Sequence, residues 1–449
     1  MTAVIEDAAV AVQRIQSGQT VMVGGFGGVG SPDVLLEELA RTDSRELTCV
    51  STTAGVAEQG LGLIHRQGRL ARFIGCFLTR NPEAVSSYRA GDLAVQFLSM
   101  GVLAEAIRAG GAGVPAFYTR TSVGTDLAAE KETRSFGGHT YLLEEALKAD
   151  VALIRAHKAD RLGNLVYSGC EKTFGPIMAT AADLTIAEVD EIVETSELKP
   201  EEITTPHIFV DVLVLRPKNP PSSLEATTRR RSSWSPSEEV IARRVGRELQ
   251  DGQIVNLGSG IPSLVKNFLG NTSVFLQTEN GVLGVGPAPL EGQENYRLTD
   301  AMGGLITLES GASISDSSLA FAMINGGHID VTVLGALEVS QGGDIANWSV
   351  PSKGHYGVGG AMDLASGAKR VIAAMAHIGP NGRSKVVKEC SLPITAPNAV
   401  DVLITDLAVF DFVEGEMMLR ELQPGVTLEQ LNTATDADFL VPEGRRQES

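Results

Sequence analysis

The feature that most constrains this chain is that its two halves open in the same way. Residues 5–40, IEDAAVAVQRIQSGQTVMVGGFGGVGSPDVLLEELA, give a helical pattern, a Ser-Gly-Gln turn, a short apolar strand, a Gly-rich loop, Pro and a second helix. Residues 238–270, EEVIARRVGRELQDGQIVNLGSGIPSLVKNFLG, repeat that order. Further on, 149–165 (ADVALIRAHKADRLGNL) parallels 329–348 (IDVTVLGALEVSQGGDIANW). Each reads as a buried strand, a polar excursion, and an Asp with an Asn three or four residues later. The chain therefore reads as two versions of one α/β unit. Sites in such molecules often lie in the cleft between the units.

Between the halves, residues 216–237 (RPKNPPSSLEATTRRRSSWSPS) are rich in Pro, Ser, Thr and Arg and lack apolar periodicity. The expected division is a domain over 1–218, a linker over 219–236 and a domain over 237–449. Arg229, Arg230 and Arg231 read as solvated linker charge, and the final EGRRQES as a frayed tail. Within each half, Val/Ile/Leu runs such as TVMVGGF, ELTCVSTT, VALIRAH, VFLQTEN, VTVLGAL and DVLITDLAVF alternate with helical stretches. Apolar runs without strict alternation point to buried, largely parallel strands. The expected fold class is α/β: two related open sheets, mostly parallel, with the site at their interface.

A net charge of -18 argues against nucleic-acid and anionic-membrane partners. Early acids and the lack of a long apolar core argue against a signal peptide. No run reaches the ~20 apolar residues that span a bilayer. The expected location is therefore cytoplasmic. Cys49, Cys76, Cys170 and Cys390 are too scattered for a disulfide framework or a zinc site. The seven histidines show no metal-ligand spacing, so no metal is expected.

Gly25, Gly27 and Gly30 satisfy a GxGxxG pattern between a strand and a helix. The acid that should end the next strand and hold a ribose is missing, because ELTCVSTTAG ends in Ser and Thr. The loop is better read as a tight turn whose N–H groups can approach an anion, with Gly25, Gly27 and Gly28 as candidate substrate contacts. Glu279 is more informative. It follows the strand VFLQ at the C-terminal end expected for sites in open α/β sheets, and Asn280-Gly281 turns the chain after it. Downstream, Gly357, Gly359 and Gly360 permit a backbone that aims N–H groups at a developing oxyanion. A carboxylate nucleophile with such a loop suits acyl transfer without a metal.

These residues bring out a resemblance. The chain resembles the family I CoA-transferases, in particular the 3-oxoacid (succinyl-CoA:3-ketoacid) type with its two subunits fused. LGSGIPSLV, QTENGVLGVGP, FAMINGGHIDVTVLGALEVSQGGDIANW and GVGGAMDL carry it in the second half. GGFGGVG, AGVAEQGLGL and LAEAIRAGGAGVPAFYT carry it in the first. The resemblance covers nearly everything outside the linker and tail. It implies ping-pong transfer of CoA between carboxylic acids through a glutamyl-CoA thioester on Glu279. Gly359, Gly360 and Ala361 would hold the oxyanion, with Asn280 beside the nucleophile. Gly258 and Ser259 belong to the loop that matches the family's LGIGIP. It also implies coenzyme A thioesters as substrates, no tightly bound cofactor, small carboxylic acids as partners, and a homodimer.

The chain departs from the family pattern at several points. Met100 stands where a Gln is expected, Thr52-Thr53 where Asn-Asn is expected, Thr79-Arg80-Asn81 where Gly-Glu-Asn is expected, and Tyr356, beside His355, where a Lys is expected. Met for Gln removes a donor and an acceptor from the pocket, so altered substrate choice with retained transfer is the expectation. The alternatives are an acyl-CoA hydrolase or C–C-cleaving relative of the same fold, a non-catalytic acyl-CoA sensor, and, more distantly, an NAD-dependent oxidoreductase.

Overall fold

The computed structural model describes residues 2–218 and 233–442. Most of the expected linker, including Arg229–Arg231, and the 443–449 tail lie outside the described residues. On the far side of that stretch, Ser235 caps helix Pro236–Gly246 in a capping box with Glu238.

In the first half, eight strands form the main path of one sheet: β1 (Val4–Ile5), β2 (Thr20–Val23), β3 (Leu47–Thr53), β4 (Leu70–Phe77), β5 (Ala94–Phe97), β6 (Ala149–Asp160), β7 (Ala182–Val193) and β8 (Val212–Leu215). Their order is β1-β8-β7-β6-β2-β3-β4-β5, and every pairing along it is parallel. The second half builds a sheet from β9 (Ile254–Leu257), β10 (Phe275–Gln277), β11 (Val282–Val285), β12 (Leu308–Ile314), β13 (Val331–Gly335), β14 (Val371–Ala374), β15 (Val402–Ile404), β16 (Ala408–Val413) and β17 (Glu416–Leu422). Its order is β12-β11-β10-β9-β13-β14-β15-β16-β17. The central pairs are parallel, whereas β11, β12, β16 and β17 run antiparallel at the two ends. DVLITDLAVF, read as one strand, is therefore a hairpin. Thr405 reverses it by bonding Ala408 through both its backbone and its hydroxyl.

The repeat extends to single bonds. Asp150 Oδ2 accepts from Thr20 N at 2.7 Å, and Asp330 Oδ2 accepts from Ile254 N at 2.9 Å. Asp211 receives Thr185 N at 2.8 Å, and Asp401 receives Val371 N at 2.7 Å. In each case an acid just before or at the start of a strand satisfies a backbone donor of a neighbouring strand, the first one except at Thr185, which lies three residues into β7. Gly24 N and Gly258 N likewise donate to Leu153 O and Val333 O, each at 2.9 Å.

One apolar cluster spans both halves. It runs from Met22, Met100 and Leu103 to Phe321, Leu364 and Phe410. Helices α1 (Met100–Gly111), α2 (Ser317–Asn325) and α3 (Ala361–Gly367) meet in it. An ionic stitch adds to it: Arg297 of the second half reaches Glu171 at 3.0 Å and Asp190 at 2.7 Å in the first. Among the described residues, no helix is long and apolar enough to cross a membrane.

Candidate active site in the crevice between the halves

β10 ends at Gln277, and the chain turns straight back into β11. Thr278 N donates to Val282 O at 2.8 Å and Gly281 N to Thr278 O at 3.0 Å. Glu279 occupies the apex. Beneath it, Asn256 Nδ2 donates to Gln277 Oε1 at 2.7 Å, while Gln277 Nε2 donates to Thr278 O at 2.8 Å. Both side chains are buried, so this polar pair fixes the end of the strand.

Glu279 points into a cavity of about 820 Å³ lined by both halves. The loop 357–361 forms the wall beside it. Gly360 donates a backbone hydrogen bond to the Glu279 carboxylate, and a Cβ at Gly360 would lie 2.7 Å from the carboxyl carbon. Only glycine permits that approach. Burial and the nearby Asp363 push the Glu279 carboxyl up to about 7, and the Gly360 bond opposes the shift.

The loop is held by the first half. Met100 N donates to Gly359 O at 2.8 Å, Val358 N to Cys76 O at 3.0 Å, and Leu78 N to Tyr356 O at 3.0 Å. Met100 is buried and lines the cavity. So do Gly25, Gly27, Gly28, Thr52, Thr53, Gly258, Ser259, His355, Gly359, Gly360 and Ala361. The structure thus brings nearly all the candidate residues into one chamber. Thr52 is buried there, its hydroxyl donating to Gly25 O at 3.3 Å.

Two candidates are placed otherwise. Tyr356 does not line the cavity. Its ring is buried against Tyr88 (5.2 Å between centroids) and stacks on Phe97 (5.9 Å). An aromatic at this position gains more by joining that cluster than by facing a solvated chamber. Asn280 is also turned away: its Nδ2 donates to Thr299 O at 2.7 Å and its Oδ1 accepts from Thr278 Oγ1 at 2.6 Å. It locks the turn rather than facing the substrate. The Gly25–Gly30 loop closes on itself through paired bonds between Phe26 and Val29, and Val56 and Gln59 form the same kind of bridge one βα unit later. It is a compact turn, and Ser51, Thr52 and Thr53 end the next strand where a ribose-binding acid would stand.

Other cavity residues were not anticipated from the sequence. They include Phe77, Asn256, Gln277, Met302 and Lys385. Lys385 donates to Ala336 O at 2.7 Å, and burial lowers its ammonium to about 8. Asn256 and Gln277 left a signal, as polar residues inside apolar strand runs. Asp363 left little, because an acid in the first turn of a helix normally reads as a dipole partner. Among the described residues no cluster of His, Cys, Asp and Glu could hold a metal, and the cysteines are free.

Residues 5–216 and 238–434 match the coenzyme A transferase family. The chain belongs to that family. It is 40% identical over 456 residues to the human mitochondrial succinyl-CoA:3-ketoacid coenzyme A transferase 2, an alignment covering 96% of this chain and 88% of the relative. A stretch amounting to 45% of the chain matches a separate bacterial polypeptide. Identity is 54% over 202 residues with one subunit of the probable succinyl-CoA:3-ketoacid coenzyme A transferase of Bacillus subtilis, covering 94% of that protein. This transferase is thus the fused form of subunits that occur separately elsewhere. The fold superimposes on the acyl-CoA transferase YdiF of Escherichia coli O157:H7 with a TM-score of 0.83 and 20% identity, over 98% of this chain and 94% of the other. The chain is a CoA-transferase enzyme. One expectation is overturned: the human and mouse relatives that match across both halves are mitochondrial proteins, so the cytoplasmic assignment does not stand. Lack of a spanning helix does not specify a compartment.

Proposed function

We propose that this transferase moves CoA from an acyl-CoA donor to a carboxylic acid acceptor through covalent intermediates on Glu279. The observation that carries the reading is a carboxylate at the apex of a strand exit, inside a crevice walled by both halves and touching the backbone of Gly360.

The ionised Glu279 attacks the thioester carbonyl. The C–S bond breaks, CoA thiolate leaves and a mixed anhydride forms. The thiolate then attacks the glutamyl carbonyl, releasing the donor acid as its carboxylate and leaving a glutamyl-CoA thioester. The acceptor carboxylate enters by the reverse sequence. N–H groups of Gly359, Gly360 and Ala361 receive the oxyanions. The buried chamber keeps water from the anhydride. CoA thioesters serve as substrates, and no bound cofactor takes part in these steps.

The succinyl-CoA:3-ketoacid names of the relatives support succinyl-CoA or a similar thioester as donor and a 3-oxoacid or a variant of it as acceptor. Met100 favours an acyl group less polar than that of acetoacetate, or of a different shape. The folding units are taken as 1–218 and 237–449, and the assembly as a homodimer, which light scattering checks. The deciding experiment incubates the enzyme with acyl-CoA alone. Accumulation of a glutamyl-CoA adduct, cleaved by hydroxylamine or borohydride and located at residue 279 by mass spectrometry, supports the reading. Continuous release of CoA without adduct rejects it in favour of a hydrolase.

A further inference from the structure

Behind the cavity wall lies a second buried carboxylate that the reaction above leaves unused. Asp363 lies in the first turn of α3, just beyond Gly360, and is fully buried. Its Oδ2 accepts from Gly101 N at 2.9 Å. Its Oδ1 accepts from Ser99 Oγ at 3.2 Å, Thr121 Oγ1 at 3.1 Å and, more weakly, Asn325 Nδ2 at 3.4 Å. Ser99, Gly101 and Thr121 belong to the first half. A Cβ at Gly101 would lie 2.3 Å from Asp363 Oδ1, so the start of α1 is shaped to fit this carboxylate.

Hydrogen bonds alone would suffice for a neutral residue here. An anion buried among uncharged donors is costly. Among the described residues no Lys, Arg or His forms an ion pair with Asp363, and its charge acts on Glu279 across the glycine loop that touches Glu279 at Gly360. The other titratable group facing the pair is Cys76 of β4. Burial and the two carboxylates hold its thiol well above the usual range, so it stays neutral. Burial pushes Asp363 up to about 6 against the pull of its four donors.

We propose that Asp363 is a positioning residue for the transfer: it seats the Gly359–Ala361 loop on the first half, and its carboxylate, ionised at neutral pH behind that loop, favours conversion of Glu279 to a neutral thioester. This rests on the reading of Glu279 as the covalent carrier. In that exchange the negative charge leaves the crevice with the released acid, so like-charge repulsion is present in the free enzyme and absent in the glutamyl-CoA form. The same repulsion makes the Glu279 carboxylate more basic and a stronger nucleophile.

The test compares wild type with Asp363→Asn, using succinyl-CoA and succinate at a fixed ratio. Asp363→Ser removes the charge in a smaller side chain and serves where the Asn variant does not fold. Two quantities are read: the acid limb of kcat/KM for the donor, and the fraction of enzyme trapped as glutamyl-CoA. The expected result is an acid limb moved down by about one pH unit and an adduct-to-free-enzyme ratio lower by about tenfold. A lower melting temperature with limb and ratio unmoved would overturn the proposal and leave Asp363 purely structural. Absence of adduct in the wild type would instead remove the Glu279 reading itself.

Discussion

At the exit of β3 the first half presents Thr52; at the exit of β10 the second presents Glu279. The registers make these equivalent places. Val21 pairs with Val151 and with Cys49, while Val255 pairs with Val331 and with Leu276. Three residues on from Cys49 is Thr52, and three on from Leu276 is Glu279. After Thr52 the chain continues through α-helix 61–66 to the parallel strand β4. After Glu279 it doubles back at once as the antiparallel β11. One architecture thus provides two pedestals, and of these two only the second carries a carboxylate. The other offers a hydroxyl that is bonded to its own glycine loop. A second carboxylate at the Thr52 position would add like charge to a cavity already lined by Glu279.

The largest expected effect breaks this symmetry directly. Glu279→Ala should lower kcat by about a thousandfold or more, since a missing nucleophile cannot be replaced by binding. Thr52→Ala should cost no more than about tenfold, the scale of one neutral hydrogen bond. Comparable losses in both, measured by steady-state transfer, would mean that the two pedestals share the chemistry.

The pH dependence is next. Glu279 must be ionised to attack, and its carboxyl lies up at about 7. The donor kcat/KM should therefore rise with pH through about 7 rather than through the ordinary carboxylate range near ~4.3. Stability runs the other way. A carboxyl with a raised folded value costs stability as pH climbs from its unfolded value to its folded one. Glu279→Gln should melt at the same temperature as wild type near pH ~4 and above it at pH ~8. An offset that does not change with pH would contradict the burial of that charge.

Met100→Gln sharpens the contrast between the pocket walls. It restores a donor and an acceptor worth about 1–3 kcal/mol to a polar acyl group. The ratio of kcat/KM for acetoacetate over an unfunctionalised acid of similar length should rise by about tenfold. An unchanged ratio would show that Met100 does not read the acyl chain.

The smallest effect tests the repeat itself. Asp150→Asn and Asp330→Asn each weaken one strand-start bond, and each should cost about 1 kcal/mol in thermal unfolding. Asp330 also pairs with Lys369 at 2.8 Å, which holds it below the usual range together with the Ile254 N–H bond. Its contribution is present at neutral pH and fades as pH falls through its folded value. The Asp330→Asn deficit should therefore shrink in acid.

The features legible in the sequence were the local ones. Strand runs, the repeated openings and the acid after VFLQ are read within a few residues, and each has its element in the structure. Cavity wall and buried wall are distinguished only by what packs from elsewhere. Tyr356 looked like a pocket residue until Tyr88 and Phe97, more than 250 residues earlier in the chain, closed over it. Asp363 was not singled out in the sequence, because what marks it is its enclosure by Ser99, Gly101 and Thr121 of the other half. The antiparallel ends of the second sheet were hidden for a different reason. A buried apolar run such as DVLITDLAVF shows its composition but not where it bends.

The doubled-back exit at β10 and β11 has a mechanical consequence. Because sheet bonds grip the chain on both sides of residue 279, the carboxylate has no hinge of its own. Residue 279 is therefore a stationary side of the chamber, and its spacing from the wall at 357–361 is set by the first-half residues Cys76 and Met100 that hold that loop.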